Sequence, residues 1–285
     1  MKYCYLCKNL AKLQQSHIIP NFTIKDTKEK SLLKSFITYE SQGKPVQQTK
    51  LFELLCRNCE QLFSKYEKGF AERIYVPVSK GFKLDDTVFQ NDVLFKKIAI
   101  SFAWRVLQVL FLSKENIHEI SLTELKEIDL GYRNYLLDEI EYCFPSPKWY
   151  SFFMENFDPS DKAILNEVNC KPDFYNTFLI STSGYLILPD HENNPMVFFK
   201  LPGLLLLMPL KTQKTPMKWV YVESLLEGVC QFVNDNINMH TTDSVRFNRS
   251  QKILKDYSEN DRVAYGDTIF GSALYTDLVR QNRDF

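Results

Sequence analysis

Two Cys-x-x-Cys pairs stand near the start of the sequence. Cys4 and Cys7 form the first pair, Cys56 and Cys59 form the second, and 48 residues lie between the two pairs. A gap of two residues lets both sulfurs of a pair reach one metal ion, and zinc prefers four such soft ligands in a tetrahedron. The spacing therefore predicts a structural zinc ion held by all four cysteines. Because four protein ligands close the site, we expect this zinc to do no chemistry.

The other cysteines and the hydrophobic pattern bear on the same prediction. Cys143, Cys170 and Cys230 have no ligand spacing, and we expect them to be buried thiols. No signal peptide follows Met1, and the most apolar stretch, residues 201–210, is too short to span a bilayer. We therefore expect a cytoplasmic protein that is not attached to a membrane. Cysteines stay reduced there, so paired cysteines indicate metal binding; the alternative is that one pair is incidental.

One histidine and one glutamate lie close to the cysteine pairs. His17 stands between the pairs, in the segment Ser16-His-Ile-Ile-Pro20, and Glu60 directly follows the last paired cysteine. His17 has a structural alternative, as a side chain packed in a hairpin and bonded to a backbone carbonyl. Glu60 also has one, as a carboxylate favoured by the dipole at the start of a helix. The other three histidines have no acidic or cysteine partners at motif spacing, and we expect them to be ordinary surface or core residues: His118, His191 and His240.

This arrangement resembles the HNH endonucleases, the zinc-stapled branch of the ββα-metal nucleases. Those proteins typically have Cys-x-x-Cys, an acidic residue followed by His-Ile-x-Pro, a hairpin, and a second Cys-x-x-Cys that opens a helix. The resemblance covers residues 1 to about 75 and implies a treble-clef-like ββα unit. The matching residues are Cys4, Cys7, His17, Ile18, Pro20, Cys56 and Cys59.

The resemblance also implies a reaction. In that family the histidine is the general base, and one Mg²⁺ or Mn²⁺ ion stabilises the scissile phosphate. A neutral histidine with a pKa near ~6.5 can take a proton from water at cellular pH. Hard cations of this kind prefer oxygen ligands. By position, the resemblance assigns the base to His17 and a metal-ligand role to Glu60, where many members have Asn or His.

Two positions depart from the family pattern. Ser16 stands where an Asp or Glu commonly binds the catalytic metal, and a neutral hydroxyl is a much weaker ligand. The middle Asn of the motif is not identifiable, since only Gln47–Gln48 lies near the expected hairpin position. The catalytic metal would therefore depend on Glu60, with Glu53 or Glu67 as candidate helpers.

Charge is unevenly distributed along the chain. Residues 1–80 carry 12 Lys and 2 Arg against 7 Asp and Glu, whereas the other 205 residues carry 21 basic and 28 acidic side chains. A basic module joined to an acidic body is typical of a phosphate-binding head, which favours DNA as a partner. The alternative is a solvated, lysine-rich surface without a nucleic-acid partner.

The hydrophobic pattern predicts the elements that must position these residues. We expect an α+β protein, in which residues 1–78 form the zinc-stapled ββα unit and residues 91–285 form a larger mixed domain of unknown role. One helix should follow Cys56, with an apolar face that includes Phe63 and Phe70 and an end at Pro77. On that helix we expect Glu67 and Glu72 to be solvated. Further strands are predicted over 32–39, 46–51, 178–187 and 196–210, and helices over 91–112 and 121–142, the last capped by Ser121 or Thr123.

Three hypotheses of function follow. The first is a metal-dependent HNH-type nuclease that acts on DNA; by family resemblance alone, such a protein could serve in defence against phage or mobile DNA. The second is a non-catalytic treble-clef module that binds nucleic acid or a partner protein. The third is a head that only stabilises an acidic C-terminal sensor, and a protein partner of that C-terminal domain is compatible with all three. Trp104-Arg105 and Lys148-Trp149-Tyr150 are candidate DNA contacts, but core packing explains them equally well.

Overall fold

The computed structural model describes residues 1–30, 36–37, 45–79, 92–113, 120–140, 150–153, 183–189, 192, 194–211 and 213–214. These parts contain both helices and strands, which confirms the mixed α+β class. The strands are β1 (Lys2–Tyr3), β2 (Leu10–Ala11), β3 (Leu13–His17), β4 (Phe36–Ile37), β5 (Pro45–Val46), β6 (Leu51–Cys56), β7 (Tyr150–Phe153), β8 (Gly184–Pro189), β9 (Pro195–Leu201) and β10 (Leu204–Pro209). The helices are α1 (Asn21–Lys30), α2 (Arg57–Phe70), α3 (Val76–Ser79), α4 (Val93–Ser113) and α5 (Leu122–Leu136), and a π-helical segment, Ala71–Tyr75, joins α2 to α3.

Several sequence predictions lie outside the described residues. They concern the three unpaired cysteines, the three histidines other than His17, the Lys148-Trp149 part of a candidate DNA contact, and most of the predicted strands over 32–39 and 178–187. The sequence also predicts elements over 219–233, 250–257 and 273–281, and these likewise lie outside the described residues.

The N-terminal knuckle is a short hairpin. Strands β1 and β2 pair antiparallel, with Tyr3 opposite Leu10. Between them the chain turns tightly, because the N–H of Cys4 donates to the carbonyl of Asn9 at 2.9 Å and the N–H of Lys8 donates to the carbonyl of Cys4 at 2.9 Å. Lys8 adopts a left-handed backbone conformation, with φ of 59°. The turn brings the first two cysteines of the sequence close to each other.

Strands β3 and β6 form an antiparallel pair that leads into α2. Ser16 lies opposite Phe52 and Gln15 opposite Glu53, after an irregularity in the register between Gln14 and Gln15. Successive side chains of a strand point to opposite faces. Ser16 is therefore buried on the face that contacts α2, whereas Gln15 and Glu53 are exposed on the other face.

The helix after Cys56 has the predicted apolar face, on which Phe63, Tyr66 and Phe70 are buried. It does not end at Pro77. The chain continues through the π-helical segment into α3, and Pro77 is the second residue of α3. Proline is tolerated in the first turn of a helix, where its missing N–H has no partner to lose. The register shift of the π turn starts a new helical segment just before the proline, which is why the predicted end was wrong.

The region between the cysteine pairs differs from the predicted hairpin. Helix α1 was not predicted, because only Phe22 and Ile24 supply apolar residues in this lysine-rich segment. Strand β4 pairs with β5, but residues 47–50 are in no strand, and β6 pairs with β3 instead. The single strand predicted over 46–51 was therefore wrong, since the polar segment 47–50 connects two separate strands.

The two long helices of the second unit match the sequence patterns. α4 covers the predicted helix, and its side chains are buried almost continuously from Phe95 to Leu110. α5 begins at a capping box, in which the Ser121 hydroxyl accepts from the N–H of Glu124 and the Glu124 carboxylate accepts from the N–H of Ser121. Ser121, and not Thr123, is thus the N-cap. α5 ends at Leu136, six residues before the predicted end.

A four-stranded antiparallel sheet packs against α4. Its strand order is β7-β10-β9-β8. The apolar stretch over 196–210 is a hairpin in which Leu201 lies opposite Leu204, and Gly203 supplies the positive φ of 74° that the turn needs. Phe102 of α4 stacks on Phe199 of β9, with their ring centroids 4.4 Å apart. Every residue of β9 and β10 is buried.

The N-terminal unit and the second unit share one hydrophobic core. Phe63 meets Trp104 edge to face at 5.6 Å between centroids, and Phe70 packs on Phe102 at 6.1 Å. The Tyr66 hydroxyl donates to the carbonyl of Leu136 at 3.0 Å. The division into two domains at residues 78 and 91 stays a prediction. No helix within the described ranges is long and apolar enough to cross a membrane.

Candidate metal centre and the polar site beside it

The two cysteine pairs meet at one place. The sulfurs of Cys4, Cys7, Cys56 and Cys59 all lie within 4.8 Å of one another. The sulfurs of Cys7 and Cys56 are 3.8 Å apart, and all four cysteines are free thiols. A tetrahedral zinc site with Zn–S bonds of about 2.3 Å requires sulfurs separated by about 3.8 Å. The four cysteines therefore form a group that can hold a metal ion such as zinc, as the spacing predicted.

Backbone geometry assembles this group from three elements. The knuckle supplies the first two cysteines, the end of β6 supplies Cys56, and the first turn of α2 supplies Cys59. The N–H of Tyr5 donates to the carbonyl of Leu54 at 2.9 Å, which ties the knuckle to β6. The N–H of Cys56 points at the sulfur of Cys4 at 3.3 Å. Such N–H donors favour a thiolate, the form that binds metals.

The thiols of the group differ in their affinity for protons. The pKa of Cys4 is lowered to about 4, first because it accepts a hydrogen bond from the Cys59 side chain and then because backbone N–H groups donate to it. The pKa of Cys59 is raised, chiefly by the same bond, and burial raises the pKa of Cys7. Protons must leave these thiols when a metal binds, so metal binding here depends on pH.

Ser16 and Glu60 lie against each other beside the cysteine group. The Ser16 hydroxyl donates to Oε2 of Glu60 at 2.8 Å. Ser16 is fully buried, and burial raises the pKa of Glu60. No lysine or arginine of the described chain forms an ion pair with Glu60. A half-buried carboxylate that accepts a hydrogen bond from a neutral hydroxyl is a position that a cation would stabilise.

His17 ends β3, next to Ser16. Its Nδ1 lies 3.1 Å from the hydroxyl of Thr49, in the segment that connects β5 to β6. Burial lowers the pKa of His17; the positive charge of Arg105 lowers it further, and the charge of Glu67 opposes both. The imidazole is therefore neutral at neutral pH. The sequence indicated no role for Thr49, because a contact across 32 residues has no local signal.

Glu67 and Arg105 form a buried ion pair between α2 and α4. Nη2 of Arg105 donates to Oε1 of Glu67 at 2.5 Å, and the guanidinium lies 4.7 Å from the centre of the Phe63 ring. The side chain of Arg105 is 2% exposed and that of Glu67 is 19% exposed. The expectation that Glu67 is solvated was wrong, because α4 covers this face of α2. Glu72 is solvated as predicted, with Lys68 3.8 Å away.

Among the charged residues near this site, Arg105 is the one whose position was hardest to predict from the sequence. Its Nε and Nη1 are buried without an acceptor in the part of the chain that the structure describes. Leaving such a group unpaired costs about 1–3 kcal/mol. The available signal was a single arginine within the otherwise uncharged run of residues 98–112. Core packing of Trp104-Arg105, and not a surface contact with DNA, is what the structure has.

The ionisable side chains of β3, α2 and α4 affect one another electrostatically. The charges of Arg105 and Glu67 shift the pKa values of both His17 and Glu60. Glu53 does not belong to this group, because it lies on the exposed face of β6 and pairs with Lys2 at 2.5 Å. Within the described ranges, the four cysteines are the one group of three or more His, Cys, Asp or Glu side chains close enough to hold a metal.

The position of the missing middle Asn remains without a replacement. Gln47 and Gln48 are exposed, and the carbonyl of Gln47 accepts from Nζ of Lys28 at 3.0 Å.

In comparisons with known proteins, no family model matches this chain, and neither a curated protein nor a solved structure is significantly similar to it.

Proposed function

We propose that the N-terminal unit is a zinc-stapled ββα unit of HNH type that hydrolyses DNA phosphodiester bonds. The order of its parts supports this proposal: a cysteine knuckle, the β3–β6 pair, and a helix that opens with the second cysteine pair. The observation that carries it is the hydrogen bond between Ser16 and Glu60, at 2.8 Å. That bond holds the end of β3, where His17 stands, against the first turn of α2.

In this proposal His17 is the general base. A base must be neutral before it accepts a proton, and burial favours the neutral imidazole by lowering the pKa of His17. In the tautomer that this role requires, Nδ1 carries the proton and donates to the Thr49 hydroxyl, and Nε2 accepts the proton of the attacking water. Thr49 also fixes the orientation of the ring.

Glu60 would hold the divalent ion, which supplies positive charge to offset the charge of the phosphate. Its half-buried carboxylate, without an ion-pair partner among the described residues, fits a hard cation. Mg²⁺ usually binds one or two carboxylates and completes its shell with water and substrate phosphates. A site with a single carboxylate is thus compatible with Mg²⁺ or Mn²⁺, although weak before DNA binds.

Nicking of supercoiled plasmid DNA tests this proposal. We expect the protein to cut the plasmid with Mg²⁺ or Mn²⁺, and we expect His17→Ala to abolish cutting because the substitution removes the imidazole that accepts the proton of the attacking water. Gln15→Ala is the matched control, since Gln15 is an exposed residue of the same strand. Cleavage by His17→Ala at the rate of the control would contradict the assignment. Zinc content should be equal in all three proteins.

A second candidate function is a zinc module that binds nucleic acid without cutting it. The specific observation in its favour is that, among the described residues, the cysteines alone form a group of three or more metal ligands. This candidate predicts salt-sensitive DNA binding and intact plasmid in every divalent ion.

A further inference from the structure

One side chain of the second unit contacts the backbone of the cysteine knuckle. Arg133 belongs to α5, and its Nε donates to the carbonyl of Leu6 at 2.6 Å. Leu6 lies between Cys4 and Cys7 in the sequence and is fully buried, and the Arg133 side chain is only 15% exposed. Hydrogen bonds from a charged donor are stronger than those between neutral groups. This contact therefore ties α5 to the segment that carries two of the four candidate metal ligands.

The guanidinium of Arg133 is also held within the second unit. Its Nη1 lies 3.8 Å from Oδ2 of Asp129, one helical turn earlier on α5. Oδ1 of Asp129 accepts from Nε1 of Trp104 at 2.9 Å and from Nε2 of Gln108 at 2.7 Å, and both donors belong to α4. Asp129, Trp104 and Gln108 are all buried. The core of the second unit thus sets the position from which Arg133 reaches the knuckle.

The same contacts lead back to the other pair of cysteines. The indole of Trp104 meets the Phe63 ring edge to face, with 5.6 Å between their centroids. Phe63 lies on α2, one helical turn after Cys59. The knuckle and the first turn of α2 are therefore connected in two ways. One connection runs through a metal ion at the four cysteines, and the other runs through Arg133, Asp129 and Trp104 without any metal.

We propose that Arg133 is a positioning residue of the zinc site, which holds the knuckle beside α2 before the metal binds. Groups outside the ligand set orient the ligands of a metal, and their loss typically costs about 10- to 100-fold in affinity. A ligand set that is already in place loses less conformational freedom when the metal binds. The second unit thereby raises the affinity of the cysteines for zinc. This inference concerns the zinc site alone and holds whether or not the protein cuts DNA.

Two substitutions of Arg133 test this role by competition for zinc with a chelator of known affinity. Arg133→Met keeps much of the side-chain volume but has no donor for the carbonyl of Leu6, and we expect zinc affinity to fall by about tenfold. Arg133→Gln carries an N–H group at the same number of bonds from the backbone as Nε. We expect this variant to keep an affinity close to that of the wild type, because the bond to Leu6 can still form.

The matched control is Tyr66→Phe. It removes another side-chain donor to a backbone carbonyl across the same interface, since the Tyr66 hydroxyl donates to the carbonyl of Leu136 in α5. That bond does not involve the knuckle, so we expect unchanged zinc affinity. Competition is the measurement that distinguishes the variants, because a structural zinc site weakened by about tenfold is still filled at micromolar protein. All four proteins should therefore contain the same amount of zinc as purified.

Equal zinc affinity in Arg133→Met and Tyr66→Phe would overturn the inference, because the knuckle would then be in place without Arg133. An equal loss in Arg133→Met and Arg133→Gln would also overturn it, because the bond to Leu6 would not be what matters. If Arg133→Met does not fold, Arg133→Gln is compared with Tyr66→Phe: similar affinities support the role, and a tenfold weaker site rejects it. A wild-type protein that binds no zinc would reject the metal site and this role together. Plasmid nicking tests the nuclease proposal separately.

Discussion

The N-terminal unit and the second unit are stabilised in different ways. In the N-terminal unit, β1, β2, β4 and β5 are two residues long, and a group of four cysteines joins the knuckle, β6 and α2. In the second unit, α4 is buried along most of its length against an apolar sheet. The polar groups Ser16 and Glu60 lie beside the four cysteines, where Ser16 is buried and Glu60 is half-buried. The large core of the second unit fixes the position of Arg105, which pairs with Glu67 of α2.

The difference predicts how each unit responds to damage, and the largest effect should follow loss of the metal. Cys59→Ser removes one of four ligands, and zinc binding of this kind is worth on the order of 10 kcal/mol. We expect β3, β6 and α2 to lose amide protection in hydrogen exchange, while β9 and β10 keep theirs. Lys12→Ala, an exposed change next to the knuckle, is the control. Equal protection in both variants would mean that the cysteines do not stabilise the unit.

A smaller effect should follow when the contact between the units is broken. Arg105→Met leaves the partly buried carboxylate of Glu67 without its partner, and we expect the free energy of unfolding to fall by about 1–3 kcal/mol. Adding Glu67→Gln should recover much of this loss. Arg73 pairs with Asp92 while 57% exposed, so Arg73→Met should cost less than about 1 kcal/mol. Urea denaturation gives all four values, and equal losses for the two arginines would refute the buried pair.

A substitution within the second unit should lower stability without changing the zinc content. Asp129 is buried and accepts from Nε1 of Trp104 at 2.9 Å and from Nε2 of Gln108 at 2.7 Å. Asp129→Ala leaves both donors unsatisfied, at about 1–3 kcal/mol for each. We expect a lower unfolding midpoint in urea together with an unchanged zinc content. Loss of zinc from this variant would show that the two units do not differ in the way described.

The smallest effect concerns one helix end. Ser121→Ala removes the cap of α5 and should cost about 1 kcal/mol, because the N–H of Glu124 loses its acceptor. Thr123 is exposed in the first turn and makes no cap, so Thr123→Ala should change stability much less. Thermal unfolding of the two variants distinguishes them, and similar losses would argue against the capping box.

The sequence predicted the features that depend on local spacing. The cysteine pairs have the spacing that a metal site requires, and the apolar residues of α2 and α4 recur at helical intervals. The cap at Ser121 depends only on residues at the start of α5. Features that depend on distant contacts were missed. Glu67 looked like a solvated residue because nothing near it in the sequence indicates that α4 covers it. Helix α1 was missed because its polar residues carry no periodic signal. For the same reason the sequence did not indicate that residues 46 and 51 belong to two strands with different partners, β4 for β5 and β3 for β6.

In the proposed function the zinc is structural and a second cation binds at Glu60. The direct test is a crystal structure of His17→Ala with a short DNA duplex and Mn²⁺, recorded with anomalous scattering at both metal edges. We predict a zinc peak equidistant from the sulfurs of the four cysteines and a manganese peak beside the Glu60 carboxylate. Zinc at the cysteines with DNA bound and no manganese at Glu60 would contradict it.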